Sequence, residues 1–186
     1  VEKDGILPFC LHVSGQTIVN SRAFKDGYVS IQDKSSMMVA HIMKLGRDDK
    51  VLDACSAPGG KACHMAEILS PEGQVDATDI HLHKIDLIQH NIKKLKLDNI
   101  HAFQHDATEP YKEMYDKILV DAPCSGLGVL RHKPEIKYTQ TQDSIQSLVD
   151  LQLQILENIK HNIKSGGTIT YSTCTIEQME NENVIY

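Results

Sequence analysis

The sequence predicts an α/β domain, with a parallel sheet carrying helices on both faces. Three observations carry that expectation. Short apolar runs of strand length alternate with longer segments of helical period. Each run is punctuated by Gly, Pro, Ser or Asp. Residues capable of chemistry stand immediately after the runs, where an open parallel sheet presents its ligand-binding edge.

Residues 1 to about 30 are irregular, with Gly5, Pro8, Gly15 and Gly27 among scattered apolar positions. They are expected to be the end of a preceding subdomain or a linker, with the main domain at 31–186. Ser35 to Leu45 reads as a helix with Ser35 or Ser36 near its N-cap. Lys50 to Cys55 is a first strand, Ser56 to Lys61 a turn, and Ala62 to Leu69 a helix that stops before Pro71. Gln74 to Asp79 is a second strand. Lys84 to Leu97 follows as a helix, its Ile85, Leu87, Ile88, Ile92 and Leu95 forming one broad apolar face. Ile100 to Gln104 and Lys117 to Val120 are the third and fourth strands. A long helix over Ser144 to Ile163 is expected to close at Gly166-Gly167, before a fifth strand, Thr168 to Ser172. The expected strand order is 3-2-1-4-5.

The chain has 186 residues, 41% hydrophobic and 24% charged, enough for one domain with a full core. No apolar run reaches the roughly 18 residues of a membrane span, and no signal-peptide pattern opens the chain. A start at Val1 and an abrupt end at Tyr186 suggest a piece of a longer protein. The five cysteines, Cys10, Cys55, Cys63, Cys124 and Cys174, are widely spaced without a C-x-x-C pair. That excludes the usual zinc spacing and suits a reducing, cytoplasmic setting. The ten histidines are read as ordinary surface and core residues, His81 and His83 as strand-end or loop positions, and no metal is expected. The formal net charge of −6 argues against tight non-specific nucleic-acid binding. Two local basic clusters remain: Lys84, Lys93, Lys94 and Lys96, and Arg131, His132, Lys133 and Lys137.

Chemistry concentrates at the strand ends. After the first strand, Asp53 to Lys61 reads DACSAPGGK; paired glycines let backbone approach a ligand, and the next helix offers free N–H donors. Its spacing is neither G-x-G-x-x-G nor a P-loop. Asp79, about 20 residues on, stands where a carboxylate accepts from ribose hydroxyls, and Asp106 follows the third strand, placed for an adenine edge. A helix N-cap is the competing reading for each aspartate alone; the three loops together favour a nucleoside cofactor. Strands four and five end in cysteines, Asp121-Ala-Pro-Cys124 and Ser172-Thr-Cys174. In the expected order these ends are neighbours, setting two thiols and a carboxylate in one cleft. A thiolate is a strong nucleophile when its pKa is lowered.

The motifs DACSAPGGK (Asp53 to Lys61), DAPCSG (Asp121 to Gly126) and YSTCT (Tyr171 to Thr175), with Gln32 to Ser36 as a lead-in, resemble those of the Sun family of RNA cytosine-5 methyltransferases. The resemblance runs from about residue 24 to the end. It implies a Rossmann-like class I methyltransferase fold and S-adenosylmethionine as cofactor. It also implies a cytosine in RNA, expected to be 16S ribosomal RNA, as substrate. Cys174 would be the nucleophile on cytosine carbon 6. Cys124 would assist loss of the carbon 5 proton and release of the enzyme, and Asp121 would hold the base while lying near the cofactor. Cys55, Ser56, Ala57, Pro58, Gly59, Gly60 and Lys61 would form the cofactor loop, with Asp79 on the ribose, Asp106 near adenine and Asp121 beside them. The target base must be unpaired or flipped to reach such a cleft. Departures are Ala62-Cys63 where the family shows two threonines before the histidine, and Thr175 where serine is usual. Family members also carry an N-terminal RNA-binding domain and two final strands, which this chain is expected to lack. The competing readings are a DNA cytosine-5 methyltransferase, a non-catalytic RNA-binding or assembly module, and a nicotinamide-dependent oxidoreductase.

Overall fold

Five strands hydrogen-bond into one sheet: β1 (Lys50–Asp53), β2 (Gln74–Asp79), β3 (Ile100–Gln104), β4 (Tyr115–Asp121) and β5 (Ile163–Ser172). All neighbours run parallel, in the spatial order β3-β2-β1-β4-β5, which is the order expected from the sequence. The structure, a computed structural model, describes residues 1–14 and 18–186; Gly15, one of the early glycines, lies outside the described residues.

Side-chain alternation along the central strands builds two cores. Val51 of β1 and Leu119 of β4 face one side, where they meet Val39 and Ala40 of helix α1 (Lys34–Ile42), Ala62, Met65 and Ala66 of α2 (Gly60–Ile68), and Ile85 and Ile88 of α3 (Leu82–Leu95). Leu52, Ile118 and Val120 face the other side, against Ile155 and Ile159 of α4 (Gln142–Ile159) and Tyr111 and Tyr115. A period of two in each strand thus fills both layers, as a doubly covered parallel sheet requires. Each of these buried Leu and Ile side chains contributes about 1.5–3 kcal/mol relative to exposure.

Boundaries differ from expectation where side chains decide them. The N-cap of α1 is Asp33, not Ser35 or Ser36. His81 caps α3 and His83 lies on its first turn, so the two are helix-entrance residues, their rings stacked with centroids 5.5 Å apart. Helix α4 stops at Ile159, and a 3-10 turn, Lys160–Asn162, follows. There the buried Asn162 amide donates to the carbonyls of Tyr111 (2.9 Å) and Glu113 (2.8 Å), fixing the chain so that β5 starts at Ile163. Gly166-Gly167 therefore does not end the helix: the pair lies inside β5, where the register with β4 jumps from Tyr115↔Ile163 to Lys117↔Thr168.

The first thirty residues are less irregular than predicted. Glu2–Lys3 pairs antiparallel with Leu11–His12, and Arg22–Lys25 makes one helical turn capped by the Ser21 side chain. Phe9 meets His64 of α2 edge-on at 4.7 Å, and Leu7 and Cys10 are buried. No helix among the described residues is long and apolar enough to cross a membrane.

Candidate active site

The loop after β1 is held by backbone bonds that reach across the sheet. Ala54 N–H donates to the Leu119 carbonyl (3.0 Å) and Ser56 N–H to the Thr78 carbonyl (2.7 Å). Gly59 then takes φ +97°, a left-handed conformation, and α2 begins directly behind it. A Cβ on Gly59 would lie 3.1 Å from the Ile88 side chain and 3.2 Å from its Cα, so the cradle closes on α3 only with glycine there. Pro58 presents its carbonyl to Asn91 Nδ2 at 2.8 Å. No side chain caps the first turn of α2, which follows Gly59 directly.

Two groups in this cradle lack partners among the described residues. Both carboxylate oxygens of Asp53 and the hydroxyl of Ser56 are buried without a partner in good hydrogen-bond geometry, although the Ser56 hydroxyl and the Cys55 N–H lie near enough to Asp53 to favour its charged form weakly. Burial, and then the neighbouring Asp121, push the Asp53 carboxyl up to about 7, with Lys61 opposing. Native proteins rarely orphan buried polar atoms, so these are groups that a polar ligand would satisfy. Cys55 beside them is driven up by burial and stays a thiol.

Asp79 is the last residue of β2 and Asp106 follows β3, both at the carboxyl ends of the strands. Asp79 is buried, and its Oδ1 accepts from His81 N–H (3.0 Å) with Lys84 Nζ at 3.7 Å. Asp106 Oδ1 accepts from the Thr108 amide (2.9 Å) and hydroxyl (2.7 Å). One oxygen of each thus serves a local turn; neither aspartate is the helix N-cap that competed with ligand binding in the sequence, since His81 holds that position on α3 and no helix directly follows Asp106.

The ends of β4 and β5 bring together the three residues predicted for chemistry. Cys124 and Cys174 lie Sγ to Sγ at 3.1 Å, and Cys174 N–H donates to Cys124 Sγ at 3.2 Å. Asp121 accepts from Lys61 Nζ (2.7 Å) and Ser172 Oγ (3.0 Å). The Cys124 thiol as hydrogen-bond donor, with Lys61 adding to it, lowers Cys174 to about 7 against burial and Asp121. The same hydrogen bond and burial push Cys124 up. The exposed thiol is therefore the one ready to ionise, and its half-buried neighbour holds a proton. Cys63 is buried and pushed up to about 12, a packing residue.

The two basic clusters separate in the structure. In the first, Lys84 reaches Asp79, Lys94 Nζ sits 3.3 Å from the centroid of the Phe24 ring, and Lys96 Nζ 5.2 Å from that of Tyr28. Lys94 and Lys96 thus hold the early segment against α3 and its C-terminal end, while Lys84 stays with the β2 carboxylate. In the second, Arg131, His132, Lys133 and Lys137 are exposed, with Tyr138 84% exposed among them. Their segment is pinned to the Cys174 loop: Gly128 N–H donates to the Cys174 carbonyl at 3.0 Å. Among the described residues, Asp4, Cys10 and His12 bring three metal-competent atoms within 4.8 Å of one another. Asp4 is already committed there, to Lys34 Nζ (2.6 Å), His12 Nε2 (2.7 Å) and the Ile6 and Leu7 amides.

Sequence reasoning named neither Asp53 as a site residue nor Ser125, Glu180 and Asn181, which tie the cysteine loops together. Asp53 could have been found from its place at the head of DACSAPGGK. Glu180 and Asn181 sit in a polar run, QMENEN, that reads as solvated surface.

A family profile described as "16S rRNA methyltransferase RsmB/F" matches residues 40–186. A "Probable ribosomal RNA small subunit methyltransferase B" of Bacillus subtilis is 45% identical over 100% of this chain and 42% of its own length. One of the same description from Synechocystis is 37% identical over 95% of this chain and 41% of its own. The chain therefore spans well under half the length of these relatives. A solved structure described as NSun6 from Pyrococcus horikoshii with SFG is 32% identical, covering 91% of this chain and 44% of that one, with TM-score 0.84. A methyltransferase homolog protein from the same organism is 31% identical, over 90% of this chain and 53% of that one, with TM-score 0.80. The five-stranded parallel sheet, the three strand-end motifs and the profile match agree, and the chain belongs to the 16S rRNA methyltransferase RsmB/F family.

Proposed function

We propose that this chain is the methyl-transferring domain of an enzyme that carries a methyl group from S-adenosylmethionine to carbon 5 of a cytosine in RNA. The RNA is 16S ribosomal RNA, and the reaction proceeds through a covalent Cys174 adduct. The observation that carries this reading is the pair of thiols 3.1 Å apart, one lowered to about 7 and the other raised, beside the Lys61–Asp121 ion pair. A pure binding module has no use for that arrangement.

The orphaned Asp53 and Ser56 and the glycine cradle suit a ligand rich in polar groups, so the residues fit S-adenosylmethionine. Cys55 to Lys61 would line it, with Asp53 and Asp121 nearby, Asp79 on the ribose and Asp106 near adenine. When bound, it supplies an electrophilic methyl group on a sulfonium. The protein's task is to make cytosine carbon 5 nucleophilic. Cys174 thiolate adds to carbon 6, breaking the 5,6 double bond and placing electron density on carbon 5. Asp121 hydrogen-bonds the base at its ring nitrogen, which takes a proton from solvent as the thiolate adds and gives it back when the adduct breaks down. Once Cys174 is tied up in the adduct, Cys124 no longer donates to a thiolate and can release its own proton to solvent; after carbon 5 gains its methyl group, the Cys124 thiolate takes the carbon 5 proton. The electron pair left behind reforms the double bond and expels the Cys174 thiolate.

The cytosine must leave any helix to reach the pair. The exposed Arg131, Lys133 and Lys137, on the segment pinned to Cys174, are suited to the flanking phosphates of an unpaired strand. Residues 31–186 form the methyltransferase domain in this reading, and 1–30 the end of a preceding unit. Five free cysteines, one of them with a lowered thiol, suit the reducing cytoplasm. In a DNA cytosine-5 methyltransferase the Pro-Cys thiol at Cys124 would attack, and Cys174 would be dispensable.

The test is full-length protein with S-adenosylmethionine and unmodified ribosomal RNA. Cys124→Ser should leave a denaturation-resistant protein–RNA band, and Cys124→Ser/Cys174→Ser should not. An adduct that survives loss of Cys174 would move the reading to Cys124 as nucleophile. Absence of both adduct and methyl transfer, with cofactor bound, would end it.

A further inference from the structure

Glu180 is a buried carboxylate that the reaction above does not use. It is fully enclosed, and no lysine or arginine is among its hydrogen-bond partners. Instead three neutral donors converge on it. Ser125 N–H reaches Oε1 at 2.8 Å, Ser125 Oγ–H donates to Oε2, and Gln152 Nε2 reaches Oε1 at 3.1 Å. The same Gln152 nitrogen donates to the Pro123 carbonyl at 2.9 Å. Both peptides flanking Cys124 are thus fixed through one carboxylate. A charge withdrawn from water is costly unless its lone pairs are satisfied, so a carboxylate here makes sense as an anchor whose donors all belong to the site.

The next residue holds the other thiol. Asn181 Oδ1 accepts from Thr173 Oγ1 at 2.6 Å, and its Nδ2 donates to the carbonyls of Thr175 (3.3 Å) and Glu177 (2.8 Å). These contacts bracket Cys174. Ser125 Oγ and Thr175 Oγ1, 2.8 Å apart, close the gap between the loops, and Tyr171 OH donates to the Glu180 carbonyl at 2.8 Å.

We infer that Glu180 and Asn181 are a two-residue staple that sets the two thiols in register, Glu180 positioning Cys124 and Asn181 positioning Cys174. The inference rests on the proposed covalent reaction and adds a division of labour to it. Loss of Glu180 loosens the thiol that ends the cycle; loss of Asn181 loosens the one that begins it.

The experiment follows adduct and turnover in full-length protein carrying Glu180→Gln, Asn181→Ala or Ser125→Ala, with Cys124→Ser alongside. Glu180→Gln keeps the shape but puts an amide where Oε2 accepts. Its kcat should fall about tenfold or more, as misplacement near 1 Å does, while adduct accumulates and the KM for S-adenosylmethionine stays within about twofold. Asn181→Ala should slow turnover without accumulating adduct. Ser125→Ala, which removes one donor and leaves Glu180 intact, should show a milder form of the Glu180→Gln pattern, and it decides the matter should Glu180→Gln fail to fold. Wild-type turnover in Ser125→Ala and Glu180→Gln, or parallel loss of melting temperature, cofactor affinity and adduct, would overturn the staple. An adduct absent from Cys124→Ser itself would instead overturn the covalent reaction beneath it.

Discussion

A cysteine thiol at its ordinary value of about 8.5 is mostly protonated at neutral pH. Cys174 is lowered to about 7 by the Cys124 donor first and by Lys61 second, while Asp121 opposes. A lowered value means that thiolate grows in as pH rises through about 7. Lys61→Met removes the cation and leaves Asp121 uncompensated, and both changes raise the thiol. Iodoacetamide labelling of Cys174, followed by mass spectrometry across pH 5 to 10, should therefore show a midpoint near 7 that moves upward in Lys61→Met; an unmoved midpoint would remove Lys61 from this role. Asp53 shifts in the opposite sense. Its value of about 7 in the fold lies above the roughly 3.9 of an unfolded aspartate. The folded state binds the proton more tightly, so that stability is fully present below about pH 4 and is lost as pH rises through 7. Without added cofactor, the wild-type melting temperature should fall from pH 5 to pH 8 more steeply than that of Asp53→Asn. Equal slopes would show that Asp53 ionises in the fold without cost.

At the scale of elements, adjacent glycines in DACSAPGGK carry unequal weight. Gly59 has φ +97° and would set a Cβ 3.1 Å from Ile88, whereas a Cβ on Gly60 meets only Gln32 Nε2 at 4.0 Å. Gly59→Ala should cost about 1–3 kcal/mol of stability, from backbone strain and crowding together, and weaken cofactor binding. Gly60→Ala, at the start of a helix, should be near neutral in thermal melts; equal losses in both would contradict the cradle geometry. The contrast was invisible in the sequence, which shows two identical letters. What was legible there follows from periodicity: the five strands and the loops at their carboxyl ends, since a buried strand reads as a short apolar run whatever its neighbours; their order came instead from the open α/β sheet class. Strand-end residues followed from the strands, and the structure does bring Asp121, Cys124 and Cys174 to neighbouring strand ends. The elements misjudged are those fixed by tertiary contacts. Asn162 ends the turn after α4 by bonding to carbonyls about fifty residues away, and the glycines expected to stop that helix lie in a bulge of β5. Glu180 lay hidden for the same reason, since nothing local distinguishes a carboxylate buried against Ser125 and Gln152 from one in water.

At the scale of the whole molecule, a chain of net charge −6 is proposed to bind a polyanion. Total charge sets the far field, which slows approach, but affinity comes from cations that touch phosphates and release their counterions. In the first lysine cluster Lys84, Lys94 and Lys96 are engaged with Asp79, Phe24 and Tyr28 while Lys93 is exposed; the second cluster lies on the segment bonded to the Cys174 carbonyl through Gly128. Arg131, Lys133 and Lys137 are its fixed charges. For a single strand the slope of log affinity against log salt is about −0.7 per phosphate neutralised, so three contacts give about −2. Lys133→Ala should flatten that slope by about 0.7 and raise the RNA KM, with the S-adenosylmethionine KM unchanged. Lys94→Ala, on the far cluster, should leave the slope where it was. Fluorescence anisotropy with a short unpaired RNA, titrated from low to moderate salt, measures both. A slope insensitive to Lys133 and sensitive to Lys94 would relocate the RNA path to the α3 side of the sheet, away from the thiols. A base flipped into the Cys124–Cys174 cleft would then have to enter across the cofactor cradle, which Lys61, Asp121 and Asp53 already occupy.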